Sequence, residues 1–181
     1  MTRAVISILL LIAVSVAAGA EFVTVRRSLF AQREAIEAQW DELSDTFDSR
    51  AALIGNLADL VQQTADPHER AFADAAEAQA ALSRAQAPQA KIEANSRLMN
   101  AFGRLCLIAD GYRKLTNGAG YRRLKEELGN AESHVAVERR KYNDLLEHYN
   151  AQLQRFPANV VAGLSGLTRI DAYVQTEPEV K

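Results

Sequence analysis

The sequence predicts an all-α protein: an N-terminal transmembrane helix followed by an antiparallel up-down-up-down four-helix bundle with long first and last helices. Three observations predict it. Nine glycines and four prolines in 181 residues are few, while alanine and glutamine are plentiful, so the composition favours helices over strands. An uncharged apolar run, AVISILLLIAVSVAAGA at 4–20, opens the chain. Behind it, large apolar residues recur at seven-residue intervals along two long stretches, the spacing of helices that pack at a shallow angle. The formal net charge of −2 does not suggest a phosphate-binding surface, so no nucleic-acid partner is expected.

The apolar run is at the short end for a spanning helix, and Phe22–Val25 can lengthen it past Glu21. Residues 1–25 therefore read as a membrane anchor. A cleaved signal peptide is the rival reading, because Ala18-Gly19-Ala20 resembles a small-residue cleavage site. No cysteine lies there for lipid attachment. Arg3 precedes the run, and Arg26, Arg27 and Arg33 follow it. That balance leans weakly toward a cytoplasmic C-terminal part.

Residues 26–157 read as the bundle. In the first helix Leu29, Ile36, Leu43 and Leu57 form one heptad series, with Arg50 in the gap, and Trp40, Phe47, Ile54 and Val61 form a second. Asp66, Pro67 and Glu69 make a cap and restart. An alanine-rich second helix spans 69–87 and stops before Pro88. The third runs from about Lys91 to Leu115, and Asn117-Gly118-Ala119-Gly120 forms the turn after it. The fourth runs from about Tyr121 to Phe156. Tyr121, Leu128, Val135, Tyr142, Tyr149 and Phe156 form its stripe, Leu124, Ala131 and Leu145 fill alternate slots, and Pro157 closes it. Short connections favour antiparallel neighbours. Counting from the distal turn puts Arg50 level with Glu132, where a bidentate pair would suit the guanidinium, and Trp40 level with Tyr142 and Asn143. Residues 158–181 form an apolar, then polar, tail. Val160, Val161, Leu164 and Leu167 recur there at helical spacing, and the segment is expected to pack on Leu29 and the lower seam rather than on lipid.

Catalytic patterns are missing. No histidine has a glutamate three residues before it, GLSGL at 163–167 is not a nucleophile elbow, and there is no phosphate-binding loop. His134 with Glu138, and Asp144 with His148, stand one turn apart and read as solvated pairs rather than metal ligands. Cys106, the lone cysteine, reads as a small buried residue. Arg33, Arg50, Asn56, Glu132 and Glu138 interrupt or flank the seam, and read as register-setting polar groups more readily than as a partner-binding stripe.

Three stretches resemble the bacterial LemA family of membrane-anchored helical proteins. In AQWDELSDTFDSRAALIGNLADLV at 38–61, Trp40, Arg50, Leu53, Ile54, Asn56 and Leu57 fit. Gly55 stands where the family has proline, and Ser44 where an aspartate is expected. In YRRLKEELGNAESHVAVERRKYNDLLEHYNAQLQRFP at 121–157, Leu124, Glu127, Leu128, Glu132, Arg139, Tyr142, Asn143, Tyr149, Asn150, Phe156 and Pro157 fit. VVAGLSGL at 160–167 is similar to the family's glycine-containing tail. The resemblance implies a four-helix soluble part behind a single membrane helix in the bacterial inner membrane. It implies no catalytic residues, no cofactor and no metal. The expected function is a non-catalytic, membrane-tethered scaffold or adaptor of the cell envelope that binds protein partners, with self-association among the partner classes. The alternatives are a lipid-binding or membrane-remodelling module, and a metal-dependent enzyme using His134, Glu138 and His148.

Overall fold

A computed structural model describes residues 2–64 and 70–171, with the side chains of residues 2–5, 7 and 8 left aside. Among the described residues there are six helices and no strand: α1 (Thr2–Gln62), α2 (Arg70–Arg84), α3 (Pro88–Asp110), α4 (Arg113–Thr116), α5 (Ala119–Gln152) and α6 (Ala158–Ser165). The expected cap at Asp66, Pro67 and Glu69, with His68, lies outside the described residues. Contacts divide the chain into two compact units. One is Met1–Ala38 with Asn143–Ala172; the other, among the described residues, is Gln39–Tyr142.

The first unit holds the apolar start of α1. From Ala4 to Ala20 no proline or charge interrupts α1, and the helix is long and apolar enough to cross a membrane, with none of its apolar stretch among the described residues buried. Leu29 and Ile36 begin the packed stripe. α6 buries Ala158, Val161 and Ala162. It ends at Gly166, whose φ of 67° is the left-handed conformation that glycine takes without a Cβ penalty. The Leu167 N–H donates to the Ala162 carbonyl at 3.0 Å, and both side chains are buried, which is the Schellman arrangement with its apolar contact.

The second unit is built on the heptads of α1. Leu43, Arg50 and Leu57 are buried, as are Phe47, Ile54 and Val61, while Trp40 is half-buried with its ring edge-on to Phe47 at 6.4 Å. α2 packs on α3; α2 buries Ala71, Phe72, Ala75, Ala78 and Leu82, and α3 buries Ala94, Leu98, Ala101 and Leu105 among others. Asp74 accepts from Arg104 across that pair at 2.9 Å.

Three sequence expectations need correction. The third helix does not run from Lys91 to Leu115. Pro88 occupies its first turn, where a missing N–H costs nothing, and α3 stops at Asp110. Gly111 and Tyr112 break the run before the short α4. Leu145 is not the buried alternate-slot residue of α5; Leu146 is, with none of it exposed. At about 3.6 residues per turn, Leu146 stands five whole turns after Leu128 and shares its direction, whereas Leu145 is rotated by about 100°. A strict seven-residue count drifts off this face. Phe156 is not the last core ring. α5 ends at Gln152, the chain turns, and Phe156 is 83% exposed ahead of a cis bond to Pro157.

Candidate functional site

Arg50 fills the heptad slot between Leu43 and Leu57, so the helix period carries a guanidinium into the core, where only 1% of it is exposed. Such a charge needs local partners. Its Nη1 lies 3.5 Å from Glu132 Oε1 on α5. Its Nη2 donates to Asn95 Oδ1 on α3, in a short bond. The guanidinium also stands 5.9 Å from the Phe47 ring centre. Arg50 thus ties α1 to both α5, at the level the sequence count expects, and α3. Beside it, Lys91 donates to Asp48 at 2.7 Å, a second tie between α3 and α1.

Lower on α5, Glu138 is buried and accepts from Lys141 at 2.9 and 3.1 Å and from Gln39 at 2.8 Å. The Lys141 hydrogen bond is the largest influence on this carboxyl and holds it below the usual carboxylate range. Burial pulls the other way, and Gln39 and His134 add to Lys141. His134 Nε2 stands 3.7 Å away. Among the described residues no three of His, Cys, Asp or Glu form a metal-ligating group. Trp40 packs on Tyr142 at 5.5 Å, and burial raises the Tyr142 hydroxyl pKa. Cys106 is half-buried, and burial raises its thiol pKa against a weaker opposing pull from Lys125.

A cleft of about 710 Å³ opens between α1 and α2 in this unit. Asn56 and Asp59 line it from α1, Arg70 and Gln79 from α2, and alanines form much of its floor. Gly55 makes room for the Gln79 carboxamide: a Cβ there would stand 3.1 Å from its Oε1. Donors and acceptors over a small-residue floor suit a polar peptide or helix face. Among the described lining residues there is no Ser, Thr, Cys or His.

In the other unit, Tyr149 and Asn150 are buried side by side near the end of α5. Asn150 Nδ2 donates to the Ile170 carbonyl at 2.7 Å, and the Ile170 N–H donates to Asn150 Oδ1 at 3.1 Å. One side-chain amide thus satisfies both polar groups of one peptide residue. The Tyr149 hydroxyl donates to the Thr168 carbonyl at 3.4 Å. Burial raises the Tyr149 pKa, with Arg33 pulling it back. The tail is latched on α5 through this pair.

The sequence-selected residues fall in different places. Trp40, Arg50, Leu57, Glu132 and Tyr142 belong to the core of the second unit or its edge, and Asn56 lines the cleft. Glu127 pairs with Arg123 at 2.8 Å on the surface, and Arg139 is half-buried. Asn143, Tyr149, Asn150, Phe156 and Pro157 lie in the first unit. Sequence reasoning missed Asn95, Lys91, Gln39 and the cleft residues Asp59, Arg70 and Gln79. Asn95 carried a usable signal, a polar residue on the stripe that holds Leu98 and Leu105, of the kind that singled out Arg50. The cleft residues carried none, because solvated polar side chains look alike in sequence.

Comparison with known proteins bears on this geometry. Magnetosome protein MamQ 2 and Magnetosome protein MamQ 1 of Paramagnetospirillum magneticum are each 28% identical to the chain over 90 residues, which is 50% of this chain and 33% of each relative. The chain therefore matches about a third of the length of these curated relatives. The model of the LemA family matches residues 39–181, taking in Trp40, the Arg50 cluster, the cleft and the Tyr149-Asn150 latch. On that match over most of its length, the chain belongs to the LemA family.

Proposed function

We propose that the chain is a single-pass, membrane-tethered, non-catalytic scaffold or adaptor of the bacterial cell envelope. One observation carries the reading. α1 begins as an apolar helix that no protein covers and continues without interruption into the residues that build the Arg50 core and one wall of the α1–α2 cleft. A membrane segment and residues of a polar cleft thus belong to one helix. The bundle behind the anchor is read as antiparallel and up-down-up-down, with the domain limits 1–25, 26–157 and 158–181. Pairing order supports this: from Gln39 to Arg50 on α1 the α5 partners fall from Glu138 to Glu132, while Asp48 and Arg50 meet Lys91 and Asn95 on α3 in the same order. The partner is a protein that presents hydrogen-bonding groups to Asn56, Asp59, Arg70 and Gln79, and the inner membrane is the site.

The test is site-specific photocrosslinking of the full-length chain in its own membranes. A photoreactive residue at Asn56 should capture one recurring protein, and the same residue at exposed Glu126 on α5 should not. Repeated capture of nothing at Asn56, or of the same products at both positions, counts against the adaptor.

A further inference from the structure

Residues 156–168 contain no charged side chain, and an arginine stands immediately on either side, Arg155 and Arg169. α6 lies inside this stretch and is apolar on more than the face it packs. Ala158, Val161 and Ala162 are buried, while Val160 is 51% and Leu164 75% exposed one turn apart on another side. Phe156, in the turn just before α6, is more exposed still. Nothing approaches the position a Cβ would take at Gly163, so this face is open. A water-soluble surface rarely gathers such groups without a use for them.

Where the face sits in its unit says what covers it. Phe156, Pro157 and Ala158 line one cleft together with Val25 and Ser28 of α1. Val25 is the last residue of the apolar segment, and exposed Arg26 and Arg27 follow at once. We propose that Phe156, Val160 and Leu164 insert into the headgroup region of an acidic phospholipid bilayer, making α6 a second, interfacial membrane contact beside the anchor. This rests on the reading of residues 1–25 as a membrane segment. The apolar face supplies the insertion, and Arg26, Arg27, Arg155 and Arg169 supply the charge that complements anionic headgroups, against Glu21 and Asp171 nearby. Arginines bracketing an apolar helix can extend their heads to the phosphates while their stems stay in the apolar layer. The expectation that this segment packs only on protein thus covers one of its faces.

The experiment uses the full-length chain with Cys106→Ser, reconstituted in vesicles of phosphatidylcholine with phosphatidylglycerol. An environment-sensitive fluorophore is placed singly on cysteines at positions 160, 164, 16 or 129, and lipids bearing nitroxides in the upper acyl chain serve as quenchers. Labels at 160 and 164 should shift to the blue and lose roughly twofold or more of their emission, as an interfacial helix requires. The label at 16 should be quenched and the one at exposed 129 should not. Arg155→Gln with Arg169→Gln should reduce the quenching at 160 and 164, and so should vesicles of phosphatidylcholine alone. Quenching at 16 with labels at 160 and 164 behaving like 129 overturns the proposal and leaves the anchor standing. No quenching at 16 removes the anchor and the proposal with it. Shielding at 160 and 164 that grows with protein density but not with quencher assigns the face to a second copy of the chain, and also overturns it.

Discussion

At the scale of single residues, the core depends on how two buried charges are satisfied. Arg50 is nearly inaccessible, whereas the Glu132 side chain is 53% exposed, so water weakens that pair and the Asn95 bond on α3 shares the task. Arg50→Lys keeps the charge, but a single ammonium cannot span Asn95 and Glu132 as a planar fork does. It should lower unfolding stability by about 1–2 kcal/mol. Arg50→Glu should cost about 3–5 kcal/mol, the range for breaking a buried pair, and adding Glu132→Arg should return only part of that. Urea unfolding of the detergent-solubilised chain measures both, and no return in the double variant would contradict the pairing. Glu138 makes a separate, pH-dependent contribution. Its folded pKa lies below the unfolded value, so its stabilisation is complete above the unfolded pKa of about 4.3 and is lost as pH falls from there through the folded pKa. Glu138→Gln should therefore flatten the acid limb of the stability–pH curve. An unchanged limb below about pH 4.3 would show that Glu138 is not the group responsible.

At the scale of elements, α1 was legible in the sequence because one period served its whole packed length. Its heptad residues Leu29, Ile36, Leu43, Leu57, Phe47, Ile54 and Val61 are all buried. α5 was legible along its stripe of Tyr121, Leu128, Val135, Tyr142 and Tyr149, all buried, but not in its alternate slots, where a seven-residue count and a helix of about 3.6 residues per turn point to different side chains, Leu145 and Leu146. The ring at Phe156 misled for a simpler reason: periodicity says nothing about where a helix stops, and α5 had already ended at Gln152. The Tyr149-Asn150 latch was invisible as a site. Its partners are backbone groups of Thr168 and Ile170, and backbone carries no sequence signal. That latch yields an element-scale expectation. Asn150→Ala removes two hydrogen bonds to Ile170, each worth about 1 kcal/mol, and Gly166→Ala forces a side chain into the left-handed region at a similar cost. Both should loosen the chain after Ser165 while leaving the Arg50 unit folded. Limited proteolysis of the full-length chain in detergent should then cut first between 165 and 171. Cleavage no faster than in the unaltered chain would mean that α6 is held by its buried face alone.

At the scale of the whole molecule, the proposed function turns on whether the apolar start of α1 spans a membrane. Residues 2–25 of α1 make about 36 Å of helix, enough to cross a hydrocarbon layer of about 30 Å. Leu9, Leu10, Leu11, Ile12, Val14 and Val16 are all exposed, so no protein surface competes with lipid for them. If this segment spans the bilayer and is retained, the chain should resist extraction with alkaline carbonate, and its intact mass from membranes should be the full 19.9 kDa. Cleavage after Ala20 would instead remove the entire apolar run and release the rest to the wash. Leu11→Lys with Ile12→Lys tests the same point by energy. Each lysine near the middle of a spanning helix costs about 2.5–3.5 kcal/mol on insertion scales, more than the short run's apolar surplus can offset twice. The double variant should move into the carbonate supernatant. A conservative pair, Leu11→Ile with Ile12→Leu, should stay in the pellet, because it keeps the apolar surface and changes only its shape. Extraction of the unaltered chain, or a mature mass lacking the first twenty residues, would detach the Arg50 unit and the cleft from any membrane and leave the exposed face of α6 without its neighbour.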